Sequence, residues 1–157
     1  MELEKIHFYH SPVGTLILGE EDGFLTRVSF HEEMKAPFVV EKTPLLEETA
    51  KQLTAFFQGE RTIFALPLNP KGTAFQKKVW QALQDIPYGV TASYGEIARK
   101  IDNPKGSRAV GMANNKNPIA IIIPCHRVIG SKGKLVGYGG GLDKKVFLLE
   151  LEKKNKK

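Results

Sequence analysis

Three stretches near the start, residues 3–9, 14–19 and 24–30, are short and rich in β-branched and aromatic residues. Ser11-Pro12-Val13-Gly14 and Glu20-Glu21-Asp22-Gly23 separate them as turns, which predicts a small β-meander. Residues 31–42 read as a loop, with a further short strand possible at Phe38-Val39-Val40. A helical period then takes over. Leu45, Leu46, Thr49, Ala50, Leu53, Phe56 and Phe57 share one face, Thr43 caps it with Pro44 at the first position, and Gly59 stops it. Turn signals at Pro67, Asn69-Pro70 and Gly72 place a module boundary there, dividing the chain into 1–70 and 71–157.

The second module opens with a helix over about 74–84, its apolar face made by Phe75, Val79, Trp80 and Leu83. Pro87-Tyr88-Gly89 breaks the chain. Ser93-Tyr94-Gly95-Glu96 matches a capping box, so a helix is expected from Tyr94 to about Ile101. Asp102-Asn103-Pro104-Lys105-Gly106 cannot continue it, and Ser107 caps a second helix from Arg108 to about Asn115. Two short helices across such a break have the shape of a helix-turn-helix. Ile119-Ala120-Ile121-Ile122-Ile123 reads either as a buried strand or as a core-filling extended segment, ended by Pro124. A glycine-rich loop follows from Lys134 to Gly141. A last helix over about 142–152 is expected to turn Leu142, Val146, Phe147 and Leu149 inward. The fold class is α+β: a small N-terminal β-sheet and helix domain, then a mostly helical C-terminal domain with a helix-turn-helix.

Charge adds a functional pointer. Residues 1–70 hold 6 Lys+Arg against 11 Asp+Glu, whereas residues 71–157 hold 17 against 6. An asymmetry of this size aims the second module at a polyanion, and nucleic acid leads over a merely basic surface. No apolar run approaches the roughly 18 residues of a membrane helix, and the opening MELEKIHFYH lacks a signal-peptide core. With one cysteine, Cys125, among 157 residues, neither an internal disulfide nor a multi-cysteine zinc site is available. His7, His10 and His31 fit no zinc spacing. The expected location is a reducing compartment, cytoplasm or nucleus, with the cytoplasm preferred.

Cys125 itself has two readings. A lone cysteine beside a run of isoleucines is ordinarily a small buried hydrophobe. Against this, Cys125 follows a proline at the end of the buried run and precedes His126 and Arg127, and cationic neighbours lower a thiol pKa.

Pro124-Cys125-His126-Arg127-Val128 resembles the active-site motif of the O6-alkylguanine-DNA alkyltransferases, the methylated-DNA–protein-cysteine methyltransferases. Ala92-Ser93-Tyr94-Gly95-Glu96-Ile97-Ala98, Arg108-Ala109-Val110-Gly111, Asn117-Pro118 and Gly139-Gly140-Gly141-Leu142 recur in the family's order and spacing. The resemblance covers about residues 72–152, while the first module resembles the family's variable N-terminal domain in size and strand–helix character.

The resemblance implies suicidal repair of O6-alkylguanine in double-stranded DNA, with no cofactor, no metal and a monomer sufficient for the chemistry. Cys125 matches the nucleophile, and His126 the histidine that deprotonates it through a water. Glu152 matches the glutamate orienting that histidine, and Asn117 the asparagine bracing the turn. Tyr94 matches the tyrosine that helps guanine leave and contacts the phosphate near the lesion. Arg108 matches the arginine that replaces the extruded base. Ser107, Ala109, Gly111 and Arg127 join Arg108 and Tyr94 as expected DNA contacts, on and beside a recognition helix placed in the minor groove. The segment 134–140 resembles the loop walling the guanine pocket, with Val136, Tyr138, Gly139 and Gly140 as its expected lining.

Base extrusion fits the physics, because an alkyl carbon inside a duplex is reachable only after the nucleotide is flipped out. Thiolate formation alone is not sufficient. A thiol of pKa about 8.5 is about 3% ionised at pH 7. Lowering that pKa by ~3 gains roughly 30-fold in thiolate and loses roughly 15–30-fold in nucleophilicity. In-line positioning and stabilisation of the departing base must supply the rest. Three rivals predict different chemistry: a lesion-binding relative that does not react, a plain helix-turn-helix module with a structural thiol, and a Cys-His hydrolase. The cysteine at 125 argues against the first, and the adjacency of His126 against the last.

Overall fold

The structure, a computed structural model, describes residues 3–30, 37–135, 137, 138 and 140–156. His31, Val136 and Gly139 lie outside the described residues. The chain divides into two compact units, Met1–Pro70 and Lys71–Lys157.

In the first unit, β1 (Glu4–Ser11), β2 (Gly14–Glu21) and β3 (Phe24–Phe30) form the antiparallel meander, turning at Gly14 and at Asp22-Gly23. β4 (Phe38–Val40) adds to β1 in parallel, giving the order β3-β2-β1-β4. α1 (Pro44–Phe57) starts where Thr43 Oγ1 accepts from Leu46 N at 3.1 Å, and ends before Gly59, whose φ of 78° suits a residue without a Cβ. Leu46, Leu53 and Phe56 are fully buried, as are Ile6, Leu16, Leu18, Leu25 and Val28 of the sheet. Gln52 also turns inward. Its amide accepts from Ala65 N at 2.9 Å and donates to Ala65 O at 3.1 Å, pinning the chain that leaves the helix.

In the second unit, α2 (Ala74–Leu83) carries a capping box from Thr73 and Gln76. α3 (Tyr94–Lys100) carries the one expected from Ser93 and Glu96. α4 (Ser107–Asn115) departs from expectation at its start: Gly106 is the cap residue, Ser107 is already helical, and no side chain caps the helix. α3 and α4 pack on each other and on α2, where the indole of Trp80 donates to Ala113 O at 2.8 Å.

The isoleucine run is not a strand. Ile119 to Ile123 are buried, but the chain folds there into tight turns, with Ile122 N donating to Ala120 O (2.8 Å) and Ile123 N to Ile119 O (3.0 Å). Ile121 takes φ 72°, a left-handed conformation that costs a β-branched residue and that its buried surroundings must hold. A 3-10 turn at Cys125–Arg127 leads into β6 (Val128–Ile129), which pairs in parallel with β5 (Ala92–Ser93). The start of α3 and the segment after Cys125 are thereby tied together.

α5 (Leu142–Asn155) presents a different face from the one its apolar residues predict. Leu142, Val146 and Phe147 are 47%, 40% and 40% exposed, and Leu149 is half-buried. The buried stripe is Lys145, Leu148 and Glu152. Hydrogen bonds decide this register, because the two polar ends of that stripe find partners in the segment following Pro124.

Trp80→Phe removes one buried hydrogen bond and part of the ring that packs beneath α4. It should lower stability by about 1–3 kcal/mol, read as a reduced urea midpoint with unchanged slope.

Candidate functional site

The segment around Cys125 is shaped by its own side chains. Asn117 Nδ2 donates to Ile123 O at 2.8 Å while its Oδ1 accepts from Ile119 N at 3.0 Å, so one amide staples both ends of the isoleucine turn. Proline at 124 removes a donor, and the chain closes around it: Cys125 N donates to Ile123 O (2.8 Å) and Arg127 N to Pro124 O (3.0 Å). Cys125 is 5% exposed, and Asn114, buried at the end of α4, donates from Nδ2 to Cys125 O at 3.3 Å.

His126 is fully buried, with Nε2 2.6 Å from Glu152 Oε2. A carboxylate only accepts, so the proton of this pair sits on Nε2. Nδ1 then carries the lone pair and has no hydrogen-bond partner among the described residues. Glu152 also takes the guanidinium of Arg127 (Nε to Oε1, 2.8 Å; Nη2 to Oε2, 2.9 Å) and the amide of Gly89 (3.0 Å). Lys145, one face of α5 with Glu152, donates from Nζ to Val128 O at 2.6 Å.

This arrangement corrects two expectations. Arg127, expected at the DNA, is buried with its fork spent on Glu152 and on Ile86 O (Nη1, 2.7 Å). Nor is the thiol lowered: burial pushes Cys125 up to about 11, outweighing the Asn117 hydrogen bond and the Lys145 charge. Burial lowers His126 against the pull of Glu152, which favours the neutral ring. For Glu152 burial acts upward, but His126 and Arg127 prevail and hold the carboxyl at about 2.

Tyr94 opens α3, half-buried, its ring packed where a Cβ on Gly111 would lie 3.7 Å from Cδ1 and Cε1. Gly111 thus faces the tyrosine ring. Burial and Cys125 raise Tyr94, and they raise Tyr138 well above the ordinary phenol value, so both hydroxyls stay protonated donors. Ser107, Arg108 and Ala109 are exposed on α4, joined by Met112 at 67%. Tyr138 and Gly140 are partly exposed at the loop before α5. Sequence reasoning overlooked Asn114 and Lys145. Asn114 carries no motif, and Lys145 sits on the helix face that the apolar pattern assigns to solvent. His7 and His10 lie on β1, where His10 meets the Thr15 hydroxyl at 3.1 Å. Among the described residues no three metal-ligating side chains gather, and no helix is long and apolar enough to cross a membrane.

Residues 74–154 match the DNA-binding domain of 6-O-methylguanine DNA methyltransferase, and residues 5–70 match that protein's ribonuclease-like domain. The methylated-DNA–protein-cysteine methyltransferase of Methanosarcina acetivorans is 55% identical over 149 residues, covering 92% of this chain and 95% of its own. That of Mycobacterium leprae is 53% identical over 146 residues, covering 91% and 88%. Mycobacterium tuberculosis OGT, solved in complex with DNA, superimposes with a TM-score of 0.90 at 48% identity, covering 96% of this chain and 94% of that one. The chain belongs to the methylated-DNA–protein-cysteine methyltransferase family.

Acid stability tests the site's charges. Glu152 is depressed from 4.5 to about 2, so its contribution is complete above about 4.5 and is lost as pH falls toward 2. The neutral burial of His126 removes stability in the same direction once pH drops below 6.5. Glu152→Gln should cost about 3–5 kcal/mol at neutral pH, because Arg127 loses its counter-charge. Urea midpoints of that variant should then fall less steeply than wild type between pH 4.5 and 2.

Proposed function

We propose that the protein repairs O6-alkylguanine in double-stranded DNA by moving the alkyl group irreversibly to Cys125. The observation that carries this reading is the buried Cys125–His126–Glu152 array, in which Nε2 is committed to the glutamate and Nδ1 has no hydrogen-bond partner among the described residues. In this mechanism Nδ1 takes the thiol proton through a water. Sγ attacks the alkyl carbon as the carbon–O6 bond breaks, and the guanine leaves with the bonding electrons. Tyr94 donates a proton to the leaving base, a contribution typically worth roughly 10²–10⁴-fold. A thiol held up at about 11 makes the base necessary, since almost no thiolate exists at pH 7 without one. The product is a thioether, which nothing in the mechanism reverses, so each chain acts once.

The exposed edge of α4, with Ser107, Arg108 and Ala109, is assigned to the DNA. Arg108 enters the stack when the lesion base is flipped out, offsetting an unstacking cost of a few kcal/mol. The loop bearing Tyr138 and Gly140 walls the guanine pocket, and Asn117 keeps the nucleophile's turn in shape. No cofactor takes part. A lone thiol that must stay reduced supports a location in the reducing cytoplasm.

Intact mass after incubation with excess O6-methylguanine duplex should show one methyl in place of one hydrogen, on the peptide holding Cys125 and saturating at one per chain. Cys125→Ala should bind the duplex normally and gain nothing. Unchanged mass with tight lesion binding would replace repair by lesion sensing. Arg108→Ala should slow transfer from duplex far more than from a free base analogue, and equal slowing would remove its extrusion role. Affinity should fall steeply with salt, as phosphate contacts require.

A further inference from the structure

Arg127 has no part in the mechanism above, yet its buried guanidinium is held from three sides. It meets Glu152 through Nε (2.8 Å to Oε1, 3.1 Å to Oε2) and Nη2 (2.9 Å to Oε2). Nη1 donates to Ile86 O at 2.7 Å, and the Tyr88 ring centroid lies 5.6 Å from Cζ. With Gly89 N on Oε1, the carboxylate has one direction left, and His126 Nε2 occupies it.

We infer that Arg127 is a positioning residue for alkyl transfer: it fixes the Glu152 carboxylate and cancels its charge, so that His126 remains a neutral imidazole with Nδ1 open to the thiol proton. The inference rests on the reading of His126 as the base. A buried carboxylate facing an imidazole by itself draws a second proton onto the ring, and an imidazolium has no lone pair with which to accept another. Arg127 makes the glutamate–arginine unit neutral, and burial then favours the neutral ring. Every charged group around His126 on the described residues fits this account. α5 brings Glu152 and Lys145, the histidine's own turn brings Arg127 with the uncharged Cys125 thiol beside it, and α2 packs against that turn while burying only Val79, Trp80, Ala82 and Leu83. The fork geometry matters as much as the charge, because a lysine keeps the charge but cannot hold both carboxylate oxygens in one plane.

The test follows the His126 ring by nitrogen NMR in the full chain without DNA, alongside the pH profile of single-turnover methyl transfer. Wild-type His126 should stay neutral, protonated on Nε2, from pH 8 to below 6.5. In Arg127→Met its protonation midpoint should rise by about one pH unit or more, and the acid limb of the transfer profile should move with it. Arg127→Lys should fall between the two. A folded Arg127→Met chain whose His126 titrates like wild type would overturn the inference. So would wild-type His126 found as imidazolium at pH 7, an arm that decides the matter even if Arg127→Met does not fold. A shifted ring with an unmoved transfer profile would uphold the charge coupling and overturn the base role beneath it.

Discussion

The carboxylate of Glu152 organises the second unit. It is buried on α5, and four donors converge on it: His126 Nε2, Arg127 Nε and Nη2, and the amide of Gly89. A buried carboxylate is tolerated only when its lone pairs are satisfied and its charge is matched, and here both conditions are met by residues from two separate stretches of chain, Gly89 and the His126–Arg127 pair. The same contacts determine which face of α5 turns inward, seat the 3-10 turn that carries Cys125, and anchor the loop after α2. Packing and chemistry therefore have a common origin. Any change that disturbs this carboxylate acts on stability and on the histidine together.

The resting thiol follows from the same burial. Surroundings that keep Cys125 nearly inaccessible push its proton affinity up, and in the proposed mechanism the nucleophile is therefore held in reserve until a base and a correctly placed alkyl carbon act on it at once. This divides the work of the site. In the proposed mechanism His126 manages one proton, Tyr94 supplies another to the departing base, and the exposed edge of α4 handles the duplex. The buried cations Arg127 and Lys145 stay with the protein, so the proposed reading assigns DNA contact to surface side chains such as Arg108.

Much of the fold is legible in the chain because local chemistry writes it. Thr43-Pro44 and Ser93-x-x-Glu96 announce helix starts, and Gly59 announces an end, through hydrogen bonds made within a few residues. The failures are non-local. The isoleucine run has the composition of a strand, but Asn117 folds it into turns by reaching forward to Ile119 and Ile123. α5 shows its apolar residues to solvent because Lys145 and Glu152 are bound to Val128 O and to the His126–Arg127 pair, and periodicity reads such residues as surface. Arg127 beside His126 looks like a basic contact for DNA, since its partners at Ile86, Tyr88 and Glu152 are remote in sequence.

The most direct test of the central role of Glu152 is a double-mutant cycle on single-turnover methyl transfer, using His126→Ala, Glu152→Gln and the combined variant, each confirmed folded. If the carboxylate acts through the histidine, each single change should slow transfer by roughly 10²–10⁴-fold, and the double variant should be no slower than the worse single. Losses that multiply in the double variant would show that the two residues act independently, and would contradict the account.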